Sequence, residues 1–356
     1  MPEPSPTAET PVRLAGLATA VPPFELGQDE VKRRAEKILG PRFPAFQRMA
    51  KTFTTSGVET RYSVAPFSWF EGDTDWRDRN DRYLEGATDL FVEAARGALD
   101  DAGWTAGEVD IVVSVSSTGV ATPTLEARAK GELGLRDDCL RVPLFGLGCA
   151  GGVSGLSVAR ELAAARPGAK VLLVVVETCT LQFRSEKPQK ADIIATVLFG
   201  DGAAAVCLES GADGNVILGR GTTKTWPDTL PIMGWEVDRD GMGVVFDRSI
   251  PDFTKEEFRG AMDTALAEAG MELGTMDRLV AHPGGAKVVE AIEGSLELAP
   301  GSLDAEREVL RRYGNMSAPT VLFVMKDVLD AGHKGRLMSC ALGPGFSAAF
   351  LPLQVG

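Results

Sequence analysis

Residues 98–113, ALDDAGWTAGEVDIVV, align without a gap on residues 265–280, ALAEAGMELGTMDRLV. Ala98, Leu99, Ala102, Gly103, Gly107 and Asp110 recur as Ala265, Leu266, Ala269, Gly270, Gly274 and Asp277. Each copy reads as a helix end, a glycine cap, a short turn and a buried strand. Further along, Gly148-Cys149 stands against Gly314-Asn315, and FGDGAAAV at 199–206 against LGPGFSAA at 342–349. Both members of the last pair read as strand, tight glycine turn, strand. The first half is the longer one between these matches. Its extra residues fall in roughly 177 to 198, a length typical of a functional loop. Three collinear matches predict two related halves built on one strand–helix plan.

Ile111-Val112-Val113-Ser114-Val115 and Val171-Leu172-Leu173-Val174-Val175-Val176 are continuous β-branched and aliphatic runs, separated by helical periodicity. A strand that alternates is half-exposed; one that does not is buried on both faces, so the fold class is α/β and layered. The 356 residues suffice for two cores. Residues 1–10 are predicted to form a flexible tail, 11–215 the half carrying Cys149, and 216–356 the half carrying His282 and Asn315. A formal charge of −13 repels nucleic acid and anionic lipid. No apolar run approaches a membrane span, and MPEPSPTAET resembles neither a secretory signal nor a transit peptide. Five cysteines without metal-ligand spacing fit a reducing compartment, so the expected location is the cytoplasm.

Three residues carry the chemistry. Cys149 sits in Gly146-Leu147-Gly148-Cys149-Ala150-Gly151-Gly152, a strand-to-helix break where the helix dipole would favour a thiolate. Cys207 and Cys340 read as small core residues and Cys139 as the start of a strand. His282 follows the apolar run Arg278-Leu279-Val280-Ala281 and so stands at the end of a buried strand, whereas His333 reads as a surface turn. A lone histidine in such a place is otherwise a satisfied core group. Asn315, repeating the position of Cys149, is either a third site residue or a helix N-cap.

The segments GLGCAGG at 146–152, AHPGG at 281–285, YGNMSAPTVLF at 313–323 and ALGPGFS at 341–347 resemble, in order and spacing, the type III polyketide synthases of the chalcone synthase-like family. The resemblance runs from about Val12 onward. It implies a thiolase-like fold, two pseudo-symmetric halves in layered αβαβα architecture. It also implies Cys149 as nucleophile with His282 and Asn315 as its partners. Phe199 matches the family's gatekeeping aromatic and Phe246 a second one. Ser117, Thr122, Cys179, Gln182, Trp235 and Ser317 fall on positions that line the family's pocket. Thr122 replaces the methionine that plant chalcone synthases insert across the dimer interface, and Cys179 and Gln182 replace threonines that shape the starter pocket. Together with Trp226, Met233 and Trp235, these departures resemble bacterial members that make alkylpyrones, alkylresorcinols or small aromatic polyketides. Arg48 and Lys51 match part of the basic stretch that contacts coenzyme A, and Arg248 is a further candidate.

The implied reaction loads an acyl-CoA starter on Cys149, held as a thiolate beside an imidazolium at His282. Malonyl-CoA loses carbon dioxide while His282 and Asn315 hold the enolate. Condensation repeats and the chain cyclises. No metal or redox cofactor is expected, the substrates being free coenzyme A thioesters, and a homodimer is implied. A priming ketoacyl synthase acting once, and a non-catalytic acyl-CoA-binding scaffold, are the competing readings.

Overall fold

The computed structural model describes residues 10–186, 188–211 and 213–356. Most of the expected tail therefore lies outside the described residues. Among those described, ten strands join in one sheet. Its hydrogen-bonded order is Arg278–Ala281, Gly335–Gly343, Ser347–Val355, Val216–Leu218, Val12–Ala20, Asp201–Ser210, Lys170–Thr178, Ile111–Val115 and Leu140–Leu144, with Thr222–Thr225 attached beside Ser347–Val355. The short strand Val216–Leu218 pairs with both Val12–Ala20 and Ser347–Val355, and so ties the two halves together.

The apolar runs are buried on both faces, as their lack of alternation predicts. From the strand Lys170–Thr178, Val171, Leu173 and Val175 enter one core, while Leu172, Val174 and Val176 enter a second on the opposite face. In the other half, Leu337 and Ala341 join the first core and Met338, Cys340 and Leu342 a third. The shared first core holds the helices Gly151–Ala165 and Thr320–Asp330. The helix Trp76–Ala102 covers one outer face and the helices Ile250–Glu268 and Ala286–Ser295 cover the other. Helices outside, sheets between them and a helix pair at the centre give the layered αβαβα order.

The internal repeat is the same motif made twice. Gly103 ends one helix at φ 67° and Gly270 the other at φ 65°, both in the left-handed region that a side chain disfavours. Each is followed by a short 3₁₀ turn and a strand. The recurring aspartate has a physical reason. Asp110 accepts from the Lys170 amide at 2.9 Å and Asp277 from the Arg336 amide at 2.7 Å, so each fixes the start of the neighbouring parallel strand.

The third match differs between the halves. Residues 342–349 lie in the hairpin of Gly335–Gly343 and Ser347–Val355. Residues 201–206 also pair antiparallel with the strand before them, Lys170–Thr178, but no tight turn joins the two. The helix Lys190–Leu198 leads into them, because the extra residues of the first half replace a hairpin tip with a 3₁₀ turn, Cys179–Gln182, and that helix.

Gly152 marks where the halves touch most closely. A Cβ there would lie 2.3 Å from the Ala318 carbonyl oxygen and 2.8 Å from Val321 Cγ1. Glycine to alanine inside a helix ordinarily stabilises by about 1 kcal/mol, but here backbone would have to shift. Overpacking of this kind costs about 1–3 kcal/mol, so Gly152→Ala is expected to lower the thermal melting temperature. A raised one would show that the halves are not in hard contact.

Candidate active site

The contact at Gly152 places the thiol. After the strand Leu140–Leu144 the chain turns through Gly146 and Gly148, at φ 86° and 48°, into the 3₁₀ turn Gly148–Ala150. The Ser117 hydroxyl accepts from the Gly146 amide at 3.0 Å and braces this turn. A Cβ at Gly148 would lie 2.7 Å from the Pro344 ring, so the turn presses directly on the hairpin of the second half. Cys149 is thereby buried at the meeting of the halves, beside the Ser317 hydroxyl and the Asn315 amide.

His282 extends the strand Arg278–Ala281, its amide donating to the Cys340 carbonyl at 2.8 Å. The residue is buried, and neither ring nitrogen has a hydrogen-bond partner among the described residues, the Cys149 sulfur included. Two buried polar atoms without a protein partner carry a desolvation cost of about 1–3 kcal/mol that a hydrogen bond to a substrate carbonyl would offset. The ring borders Gly284, whose ideal Cβ position is 3.7 Å from Nε2. Asn315 donates through Nδ2 to the Gly284 carbonyl at 3.0 Å and accepts through Oδ1 from the Ser317 amide at 2.7 Å. This excludes the N-cap alternative, since the following helix begins only at Thr320. The Asn315 side chain thus sits between the thiol and the imidazole. Ser317 is held at φ 60°, a strained conformation for a residue with a side chain, of the kind that clusters at functional sites.

Burial dominates the proton affinities. It pushes the Cys149 thiol up to about 11, against the favourable influence of Ser317 and Asn315 and with the added repulsion of Glu177. It pushes the His282 imidazole down to about 3. Taken singly, both groups are therefore neutral near pH 7. Burial of each group thus opposes the helix-dipole contribution expected at Cys149. Glu177 was not singled out in the sequence. Burial raises it to about 8, while it accepts from the Ser117 amide and the Thr118 hydroxyl at 2.9 and 2.7 Å. Its one signal in the sequence is an acid closing the apolar run 171–176.

The aromatic positions converge. Phe199 lies 5.6 Å from Phe246 and 6.4 Å from Trp235, ring centre to ring centre, and packs with Cys179 in one cluster. Behind them is a largely apolar cavity lined by Cys179, Gln182, Phe199, Phe67, Phe70 and Phe183, among others. Cys149, His282 and Asn315 are not in its lining; Cys179 and Phe199 line it and adjoin the reacting groups, Cys179 next to Cys149 and Phe199 bridged to Asn315, and so form the partition. Gln182 is anchored by donating to the Thr118 carbonyl at 2.7 Å. Ser117 acts as the brace already described rather than as a bare wall. Thr122 is exposed, outside the chamber of its own chain. Arg48, Lys51 and Arg248 are also exposed, and none of them lines the cavity.

A thiol, an imidazole and an amide drawn from two like halves of an α/β fold define a class. The chain matches the N-terminal domain of chalcone and stilbene synthases over residues 50–213 and their C-terminal domain over 220–352. It is 36% identical to 1,3,6,8-tetrahydroxynaphthalene synthase of Streptomyces peucetius subsp. caesius, over 96% of this chain and 92% of that protein. It is 32% identical to type III polyketide synthase A of Arabidopsis thaliana, over 82% and 80%. The crystal structure of 1,3,6,8-tetrahydroxynaphthalene synthase from Streptomyces coelicolor superposes with a TM-score of 0.91 at 26% identity, over 96% and 99% of the two chains. That of CsyB complexed with CoA-SH superposes at 0.89 and 25%, over 97% and 100%. The chain belongs to the chalcone and stilbene synthase family, the type III polyketide synthases.

Proposed function

We propose that this synthase is an acyltransferase in which Cys149 carries the acyl chain, while His282 and Asn315 bind the thioester carbonyl of malonyl-CoA. The observation that carries this is the pair of unpartnered His282 ring nitrogens, buried beside an asparagine amide that also flanks the thiol. The Cys149 thiol proton passes to His282 and on to the departing coenzyme A as the Cys149 sulfur takes the acyl group from an acyl-CoA starter. The ions formed stabilise each other in a site where charges are weakly screened. Malonyl-CoA then breaks its bond to the carboxylate. Carbon dioxide leaves, and the electron pair becomes an enolate whose oxygen faces donors at His282 and Asn315. Enolate carbon attacks the Cys149 thioester, leaving the extended chain on the coenzyme A of the malonyl unit; the freed thiolate takes the chain back for the next round as that coenzyme A leaves as a thiol. The apolar Phe199 ring disfavours the malonyl carboxylate relative to neutral carbon dioxide.

Nothing in this sequence of steps changes an oxidation state, so the reading includes no redox cofactor or metal. The cavity behind Cys179 and Phe199 supports an apolar acyl starter, and hence a pyrone or resorcinol bearing an alkyl chain. Similarity to the tetrahydroxynaphthalene synthases supports a small aromatic product as the second reading. Arg48, Lys51 and Arg248 stay in the reading as exposed cations for coenzyme A phosphates. No helix among the described residues is long and apolar enough to cross a membrane, and we read the enzyme as cytoplasmic.

Incubation with malonyl-CoA and a series of straight-chain acyl-CoA starters, followed by mass spectrometry, should yield products of two or more extensions. Cys149→Ala should lower condensation at least about a hundredfold. Products of one condensation only, formed with carrier-bound malonate, would contradict the reading. Products from malonyl-CoA alone would favour the small aromatic alternative.

A homodimer is part of the same reading. The edge strand Leu140–Leu144 leaves Leu140 38% exposed, and Phe145 just beyond it is 61% exposed with Val120 nearby in sequence to Thr122 at 51%. An open strand edge with exposed apolar side chains suits a second copy of the chain. Sedimentation should give twice the chain mass, and a monomer at micromolar concentration would contradict it.

A further inference from the structure

The hairpin of Met233–Asp238 and Gly241–Phe246 forms its own two-stranded sheet and makes no ladder with the main one. A two-stranded hairpin is marginal by itself, so what holds it decides where it stands. Its base carries Trp235 and Phe246, the two rings that meet Phe199 at the partition between thiol and cavity. Its tip is held by two arginines. Arg184 grips Asp238 with both terminal nitrogens, each at 2.9 Å, and also donates to the Gly241 carbonyl. Arg79, buried on the helix Trp76–Ala102, donates to the Asp240 carbonyl at 2.9 Å.

Two features show that the tip is shaped to this grip. Gly243 has no side chain because the Arg184 guanidinium occupies the place: a Cβ would lie 2.9 Å from Nη1. Gly241 sits against the Trp76 ring, where a Cβ would come within 2.2 Å. The two guanidiniums repel each other, and Asp75, Asp238 and Asp240 offset that repulsion. Arg184 lies two residues beyond Gln182 on the segment that also supplies Cys179. One stretch of chain therefore lines the cavity and fastens the hairpin. A bidentate guanidinium–carboxylate pair fixes direction as well as distance.

We propose that Arg184, through Asp238, is a positioning residue that sets how far the acyl chain is extended, by fixing Trp235 and Phe246 against Phe199. The claim rests on the repeated-extension reading above. Releasing the tip lets the partition yield, and chain growth stops later. His282 and Asn315, which hold the thioester of malonyl-CoA, are untouched.

The test compares wild type, Arg184→Ala, Arg184→Lys, Asp238→Ala and the double alanine variant on malonyl-CoA with one starter. Products are resolved by chain length, and malonyl-CoA decarboxylation is followed in parallel. Arg184→Ala and Asp238→Ala should each raise the ratio of longer to shorter products by at least about threefold, with decarboxylation within about twofold of wild type. The double variant should match the singles rather than multiply them. Lysine, which lacks the fork, should fall between arginine and alanine. Asp238 is half-exposed at a hairpin tip, so its variant tests the claim even if Arg184→Ala folds poorly. An unchanged product ratio in Asp238→Ala, or effects that multiply in the double variant, would overturn the proposal. A wild type that extends only once would instead contradict the earlier reading, before any variant is compared.

Discussion

The hard contact between the two halves, with Gly152 against the Ala318 carbonyl and Gly148 against Pro344, is the constraint on which the site depends. It lets the 3₁₀ turn bearing Cys149 sink into the boundary between two central helices. Asn315 and His282 approach from the second half, one from the loop before its central helix and one from the end of its strand. The surrounding core is largely apolar and the site is buried in it. Burial accounts for the raised thiol and the depressed imidazole. It also makes a charge formed there, whether thiolate or enolate, depend strongly on the few donors present.

Selection of the chain to be built belongs to a different set of residues. Phe199 ends the helix Lys190–Leu198, Cys179 opens the turn beside it, and the 233–246 hairpin lays Trp235 and Phe246 over both. Cys179 and the helix Lys190–Leu198 lie in the segment by which the first half exceeds the second, Phe199 directly follows it, and the hairpin stands outside the main sheet. Two like halves supply the reacting groups, and what departs from the likeness supplies the walls.

Much of this was legible in the sequence, for reasons that differ by residue. Asp110 and Asp277 recur because each fixes the start of a parallel strand, and that structural need preserved the repeat. The runs at 111–115 and 171–176 read correctly because a strand buried on both faces has no polar register. Cys149, His282 and Asn315 stood out by position, and the structure does bring them together. The helix Lys190–Leu198 was missed because a short apolar run before a glycine reads equally well as a strand. The helix dipole at Cys149 is visible in a local pattern, whereas the burial that opposes it is a property of the whole fold. Glu177 and the Arg184–Asp238 pair join residues distant in sequence, and no local spacing announces them.

The account turns on whether the proton of Cys149 passes to His282 against the pull of burial on each. The rate of iodoacetamide alkylation at Cys149, followed by peptide mass spectrometry from pH 5 to 11, measures this directly. The account predicts an apparent pKa below the ordinary thiol value of about 8.5 in the wild type, rising toward about 11 in His282→Gln, where burial acts alone. A wild-type profile that already tracks a thiol near 11, unchanged by His282→Gln, would contradict it.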